Sequence, residues 1–211
     1  MVMELEMQER FEERLQQLRH LLTEEQMLEA KNIYQLAHEK NVEAMVELAD
    51  IYRIMEEYSL SVYWLQKASK AGNSEAQYQL ANCYYEGLGV EEDIEMAFSL
   101  YKKAAKNGNP DAANNLADMY LNGEVGNVNY KEALKWFEVA AKQNVVEAMF
   151  TLGIMYEQGI GVNRDDEKAF QYYLKAAEGG DLDAQYRMGS IYFEGLLGRE
   201  RNVPLAIEWF E

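Results

Sequence analysis

Residues 73–108 read NSEAQYQLANCYYEGLGVEEDIEMAFSLYKKAAKNG, and the pattern in this stretch decides the fold because it returns along most of the chain. Ala76, Leu80 and Tyr84 recur at i, i+4 and i+8 with Ala81 beside them, the spacing of one apolar helix face. Its tyrosine belongs to a column, Tyr52, Tyr84, Tyr120, Tyr156 and Tyr192, with gaps of 32, 36, 36 and 36 residues. Other columns keep the same beat: Ala44, Ala76, Ala112, Ala148 and Ala184; Leu48, Leu80, Leu116, Leu152 and Met188; Ala68, Ala104, Ala140 and Ala176; and the bulky set Trp64, Leu100, Trp136 and Tyr172. A fixed period of this length marks an array in which each unit buries its apolar face only by stacking on its neighbours.

Polar residues keep the phase too. Asn41, Asn73, Asn109 and Asp181 stand where a first helix begins, as side chains that accept from orphan amides. Glu75, Asp111, Glu147 and Asp183 follow two residues later, or at the matching position, where a carboxylate meets the positive end of the helix dipole. Asp93, Asn129, Asp165 and Asn202 cap a second helix, which ends at Gly72, Gly108, Asn144 or Gly180, residue types that tolerate the left-handed conformation. Small pairs such as Ala104-Ala105 and Ala140-Ala141 let helices approach closely.

Composition narrows the function. Lys and Arg total 20 against 37 for Asp and Glu, a formal charge of -17. Such a surface repels phosphate, which argues against nucleic acid and favours basic partners. No run approaches the roughly 18 apolar residues needed to cross a bilayer, and Glu4, Glu6, Glu9, Glu12 and Glu13 occupy the place where a secretory signal is basic and then apolar. The expected compartment is the cytoplasm. Cys83 is the only cysteine, so no internal disulfide forms; it reads as a small packing residue.

No catalytic, cofactor or metal set emerges. Asp165 and Asp166 are adjacent carboxylates, but Asp165 stands in a cap column. Gly87-Leu88-Gly89-Val90 and Gly159-Ile160-Gly161-Val162 lack the following Lys-Ser/Thr and the preceding strand of a phosphate loop, so they read as turns. His20 and His38, the only histidines, are expected to be exposed helix residues.

At this spacing Leu80-Ala81, Tyr84, Gly87, Gly89-Val90, Asp93, Ala97, Ala104-Ala105 and Gly108 resemble the Sel1-like repeat, a relative of the tetratricopeptide repeat. Leu152-Gly153 through Gly180 match it more fully still. The resemblance covers 41–211 as units 41–72, 73–108, 109–144, 145–180 and 181–211, the last incomplete. The first unit lacks the glycine loop, the third moves its second glycine to Gly126, and the fifth has an extra residue between Gly195 and Gly198. The resemblance implies an all-α, right-handed superhelix of antiparallel helix pairs that scaffolds other proteins. Members serve as adaptors in membrane-associated degradation, in cell-envelope regulation and in bacterial interaction with host cells. A cysteine-rich branch credited with weak β-lactam hydrolysis is not matched, since Cys83 stands alone.

Residues 1–40 read as an N-terminal helical cap on the first repeat. Phe11, Leu15, Leu18 and Leu22 form one stripe; Thr23 with Gln26 makes a capping box that opens a second helix through Leu28, Ile33, Leu36 and Ala37. A dimerisation or target-binding helix is the alternative. At the other end the chain stops five residues after Ala206, which leaves Trp209 and Phe210 without a following repeat. A fragment of a longer array, or an end covered by something else, is the expectation, with self-association through this open repeat.

Opposite the packed face of each first helix, Tyr78, Asn82 and Tyr85 project. The stripe continues with Asn114, Asp118 and Leu121, then Phe150, Ile154 and Glu157, then Tyr186, Ser190 and Phe193. By resemblance to tetratricopeptide arrays this side lines a concave groove, and Tyr78, Asn82, Tyr85, Asn114, Asp118, Phe150, Ile154, Tyr186 and Ser190 are its expected protein-binding residues. Ile154 and Phe193 serve equally well as packing residues. The carboxylate clamp of some tetratricopeptide modules is not reproduced, because Tyr78, Glu147 and Thr151 stand where its basic residues would be. An acidic, aromatic groove suits a basic or amphipathic segment. The other readings are a structural spacer or regulatory subunit with an empty groove, or an enzyme.

Overall fold

The computed structural model describes the backbone of residues 2–211 and side chains from residue 7 onward, so Glu4 and Glu6 lie outside the described side chains. All regular structure among the described residues is helical. The chain divides into two compact units, residues 1–93 and 94–211, and the division falls inside the 73–108 repeat.

The first unit holds α1 (Val2–Gln17), α2 (Glu24–His38), α3 (Val42–Ile54), α4 (Tyr58–Lys70) and α5 (Ser74–Glu86). Asn41 accepts from Ala44 N at 2.9 Å and Asn73 from Ala76 N at 2.8 Å, so the cap column begins α3 and α5 as its register predicts. Thr23 and Gln26 form the reciprocal capping box of α2. The aromatic residues of this unit form one cluster. Phe11 stacks on Tyr34 with ring centroids 4.6 Å apart and meets Tyr52 edge-on at 5.7 Å; His38 lies 4.2 Å from Tyr34 and 4.9 Å from Trp64.

Two expectations for this region are corrected. His38 is half-buried, with Nδ1 at 2.8 Å from Tyr34 O, because the α2 face that carries it turns toward Trp64. Of the expected α2 residues Ala37 is buried, together with Ala30 and Tyr34, whereas Leu28 is 70% exposed. His20 is exposed and sits in the turn after α1.

Where later repeats carry the glycine loop, the first repeat has a tight turn with Glu56 in the left-handed region at φ 61, a conformation that disfavours a side chain. Helix α1 packs its cations there. Arg10 pairs with Glu57, Arg14 Nε lies 3.3 Å from Glu57 Oε1, and Arg14 Nη2 donates to Met55 O at 3.0 Å.

The second unit holds α6 (Ile94–Lys106), α7 (Pro110–Asn122), α8 (Tyr130–Ala141), α9 (Val146–Gln158), α10 (Asp166–Glu178), α11 (Leu182–Glu194) and α12 (Val203–Phe210), each packed against the next. Asn109 and Asp181 cap α7 and α11; Asn129, Asp165 and Asn202 cap α8, α10 and α12. Helix α9 has Val145 at its N-cap position and so lacks a side-chain cap. The small columns close the interfaces: Ala112, Ala148, Ala184, Ala104, Ala140 and Ala176 are fully inaccessible, as are Leu116, Leu152 and Met188. The tyrosine column is less uniform. Tyr52 and Tyr156 are buried, whereas Tyr84, Tyr120 and Tyr192 are half-buried.

The glycine loop has a steric cause. A Cβ at Gly89 would stand 2.5 Å from the backbone of Tyr58, and one at Gly161 would stand 2.6 Å from Tyr130 Cβ. Each loop therefore crosses the start of the preceding repeat's second helix at a distance that only glycine permits. These are packing turns.

Candidate functional site

Within the first unit the expected binding residues lie along α5: Tyr78 and Asn82 are half-buried and Tyr85 is 39% exposed. In the second unit the stripe runs over α7, α9 and α11. Asn114 Nδ2 donates to Asp118 Oδ2 at 3.3 Å, one turn along α7. Burial pushes the Asp118 carboxyl up to about 6, with Glu124 adding like charge. Phe150 is half-buried with its ring 5.6 Å from that of Tyr173, and Ile154 is half-buried one turn further along α9. Tyr186 is the most open of the set at 68% exposed; its carbonyl accepts from the half-buried Ser190 hydroxyl at 3.0 Å.

A polar cluster absent from the expected set joins three helices of this unit. Tyr173 of α10 donates its hydroxyl proton to Glu157 Oε2 at 2.7 Å, and Arg187 of α11 donates to Glu157 Oε1, with its guanidinium 5.8 Å from the Tyr173 ring. Burial and the Glu157 carboxylate hold the Tyr173 hydroxyl protonated far above its ordinary range. Glu157 is thereby neutralised by Arg187, whereas Asp118 on α7 has the Asn114 amide and the like charge of Glu124 near it and, among the described residues, no cation.

A signal for this cluster does exist in the chain. The position of Ala81 and Ala117 becomes Gly153 and Gly189, and in both cases a ring takes the vacated space. A Cβ at Gly153 would stand 2.6 Å from the Tyr173 ring, and one at Gly189 would stand 2.4 Å from Phe210. Tyr101, Phe137, Tyr173 and Phe210 form an apolar column of their own, displaced by one residue in the last repeat by the extra loop residue. The first three are at most 3% exposed; Phe210 is 46% exposed and lies 5.5 Å from Tyr186.

On the second-helix side of this unit a cleft of about 880 Å³ is lined by Glu138, Lys142, Met149, Tyr172 and Lys175 among others. It mixes both charge signs with apolar atoms. Tyr156 donates to Glu138 Oε1 at 3.4 Å and stacks on Tyr172 at 5.7 Å.

The remaining candidates have structural roles. Asp165 accepts from Lys168 N at 3.0 Å, and Asp166 takes a hydrogen bond from Arg164 at 2.7 Å that holds its carboxyl below the ordinary range. Cys83 is buried, and burial pushes its thiol up to about 11. Among the described residues no group of three or more His, Cys, Asp or Glu side chains could hold a metal ion, and no helix is long and apolar enough to cross a membrane.

Comparison with known proteins identifies the repeat. The family model described as Sel1 repeat matches residues 42–73, 74–109, 110–145, 146–181 and 182–211. A Sel1 repeat protein from Oxalobacter formigenes is 26% identical, with a TM-score of 0.79 over 85% of this chain and 75% of that one. A protective antigen of uropathogenic Escherichia coli displaying an SLR fold is 34% identical, with a TM-score of 0.80 over 85% of this chain and 39% of that one. No curated protein matches the chain.

Proposed function

This chain belongs to the Sel1 repeat family, and we propose on that premise that it is a non-enzymatic protein-binding scaffold that holds a partner segment against the first helices of its repeats. In the second unit the partner lies along α7, α9 and α11, over Asn114, Asp118, Phe150, Ile154, Tyr186 and Ser190. Tyr78, Asn82 and Tyr85 offer a comparable strip on α5. The observation that carries the reading is Tyr186, a large ring left 68% exposed at the same repeat position as Phe150 and next to exposed Phe210. One exposed ring in register with the half-buried Tyr78 and Phe150, bordered by an amide and a carboxylate, is a surface that can anchor a peptide. The acidic balance of the chain and the partly desolvated Asp118 favour a segment carrying Lys or Arg.

Residues 1–40 serve as the amino-terminal cap, a role supported by the burial of Phe11 and Leu15 at 1% exposure each. On α12, Ile207 at 51% and Phe210 at 46% exposed favour self-association as a second use of the carboxyl-terminal repeat.

The test places a photo-crosslinking residue at Tyr186 of the full chain, identifies the captured protein, and measures its affinity for Tyr186→Ala. Truncating an aromatic anchor weakens binding by on the order of 2 kcal/mol, with an unchanged melting temperature. Unchanged affinity would show that the partner uses another face. Sedimentation of Ile207→Asp tests the second use: a concentration-dependent dimer in the parent that is lost in the variant supports it, and a parent that stays monomeric overturns it.

A further inference from the structure

The capping helices of the first unit leave an apolar groove of about 350 Å³ between α1, α2 and α3. Leu15 and Met55, at 1% and 5% exposure, form its floor; Leu18, Leu22, Ile33 and Ile51 are its half-buried walls, and Ile54 stands at its lip 72% exposed. A cap whose task ended at covering the first repeat would place polar side chains here. Instead, three helices converge aliphatic side chains on one open cavity.

The charges at its edge are of one sign and unengaged. Glu29 lines the groove, Glu25 lies one turn before it on α2, and Glu47 lies one turn before Ile51 on α3; all are exposed, and none makes a hydrogen bond or ion pair among the described residues. Of the nearby cations, Arg14 is committed to Glu57 and the Met55 carbonyl and Arg53 to Asp50, while Arg19 and Lys31 line a different hollow beside Leu28. Acidic side chains outnumber basic ones by more than two to one in residues 1–93. A second copy would bring carboxylates against carboxylates, so the complementary occupant is a cation-bearing one.

We propose that this groove docks an amphipathic helix of a partner protein, with aliphatic residues seated between α1, α2 and α3 and Lys or Arg side chains set against Glu25, Glu29 and Glu47. The volume admits about two or three aliphatic side chains, the number that one helix face presents at i, i+4 and i+7. The site is separate from the first-helix face of the second unit and does not rest on it.

Fluorescence anisotropy on the full chain tests this with three labelled synthetic helices: leucines at i, i+4 and i+7 flanked by lysines, the same leucines flanked by glutamates, and the lysine peptide with serines for leucines. The leucine–lysine peptide should bind, with affinity falling as salt rises, while the other two bind at least about ten-fold more weakly. Ile54→Asp should lower affinity at least about ten-fold with an unchanged melting curve, since Ile54 is solvent-exposed already. Glu25→Gln with Glu29→Gln and Glu47→Gln should slow association and flatten the salt dependence. Equal binding of the lysine and glutamate peptides, indifference to Ile54→Asp, or a dimer of the chain that Ile54→Asp dissolves would each overturn the proposal. Tyr186→Ala should leave this binding intact, so failure here and failure of the first-helix face are separately visible.

Discussion

The α9–α10 pair and the α11–α12 pair are built on one plan and finished differently. In each, a glycine on the first helix makes room for a ring from the second, Gly153 for Tyr173 and Gly189 for Phe210. Tyr173 is 1% exposed, and its hydroxyl and ring are engaged by Glu157 and Arg187; Phe210 is 46% exposed and lies beside the still more open Tyr186. One register position is therefore buried on α10, where α11 packs against it, and open on α12 within residues 94–211.

Removing the rings should break the comparison most visibly. Tyr173→Ala should cost about 3–5 kcal/mol, as for other fully buried rings, whereas Phe210→Ala should cost below about 1 kcal/mol; urea unfolding of both variants checks this. Equal losses would show that Phe210 is core in solution.

The glycines should give a smaller contrast of the same sign. Gly153→Ala forces a Cβ against a ring with no room to move and should cost about 1–3 kcal/mol, while Gly189→Ala displaces a ring that can swing into solvent and should cost a few tenths. Thermal melts of the two variants decide it.

Tyr173→Phe keeps the ring and deletes one hydrogen bond to a carboxylate that Arg187 continues to neutralise. The expected loss is about 1 kcal/mol, read by the same urea curves.

Asp118 sharpens the contrast from the other side, since no cation answers it. Its carboxyl titrates near 6 in the fold against an ordinary value of 3.8, so the folded state binds the extra proton between those values. Stability should then fall as pH rises from about 4 to about 6, the sign required when the native state holds more protons than the unfolded one. Asp118→Asn should remove that slope and raise stability at pH 7 by on the order of 1 kcal/mol, after allowance for partial exposure. A slope that survives the substitution would assign the pH dependence elsewhere.

Much of the fold was legible in the chain because a repeat array is a one-dimensional object. Cap side chains act within three residues and small columns act between nearest neighbours, so Asn41, Asn73, Asn109 and Asp181 mark helix starts as surely in the sequence as in the structure. The candidate site was less legible. Its expected residues follow from helix periodicity together with the resemblance to tetratricopeptide arrays, and periodicity says which side of a helix a residue occupies and not what stands across from it. Arg187 and Tyr173 meet Glu157 across three helices, and a 36-residue period carries no information about that rotation.

The sequence by itself determined an all-α repeat of helix pairs, its phase, its caps and its excess of negative charge, since each depends on local hydrogen bonding or on composition. Only the tertiary structure decided that His38 joins an aromatic cluster while Leu28 faces solvent, that the second loop glycine clears the backbone of Tyr58, and that the α1–α2 hairpin leaves a groove beneath Ile54. Those outcomes depend on how far one helix is rotated and displaced against another. That is set by the summed packing of side chains distant in sequence, and no periodicity along a single helix encodes it.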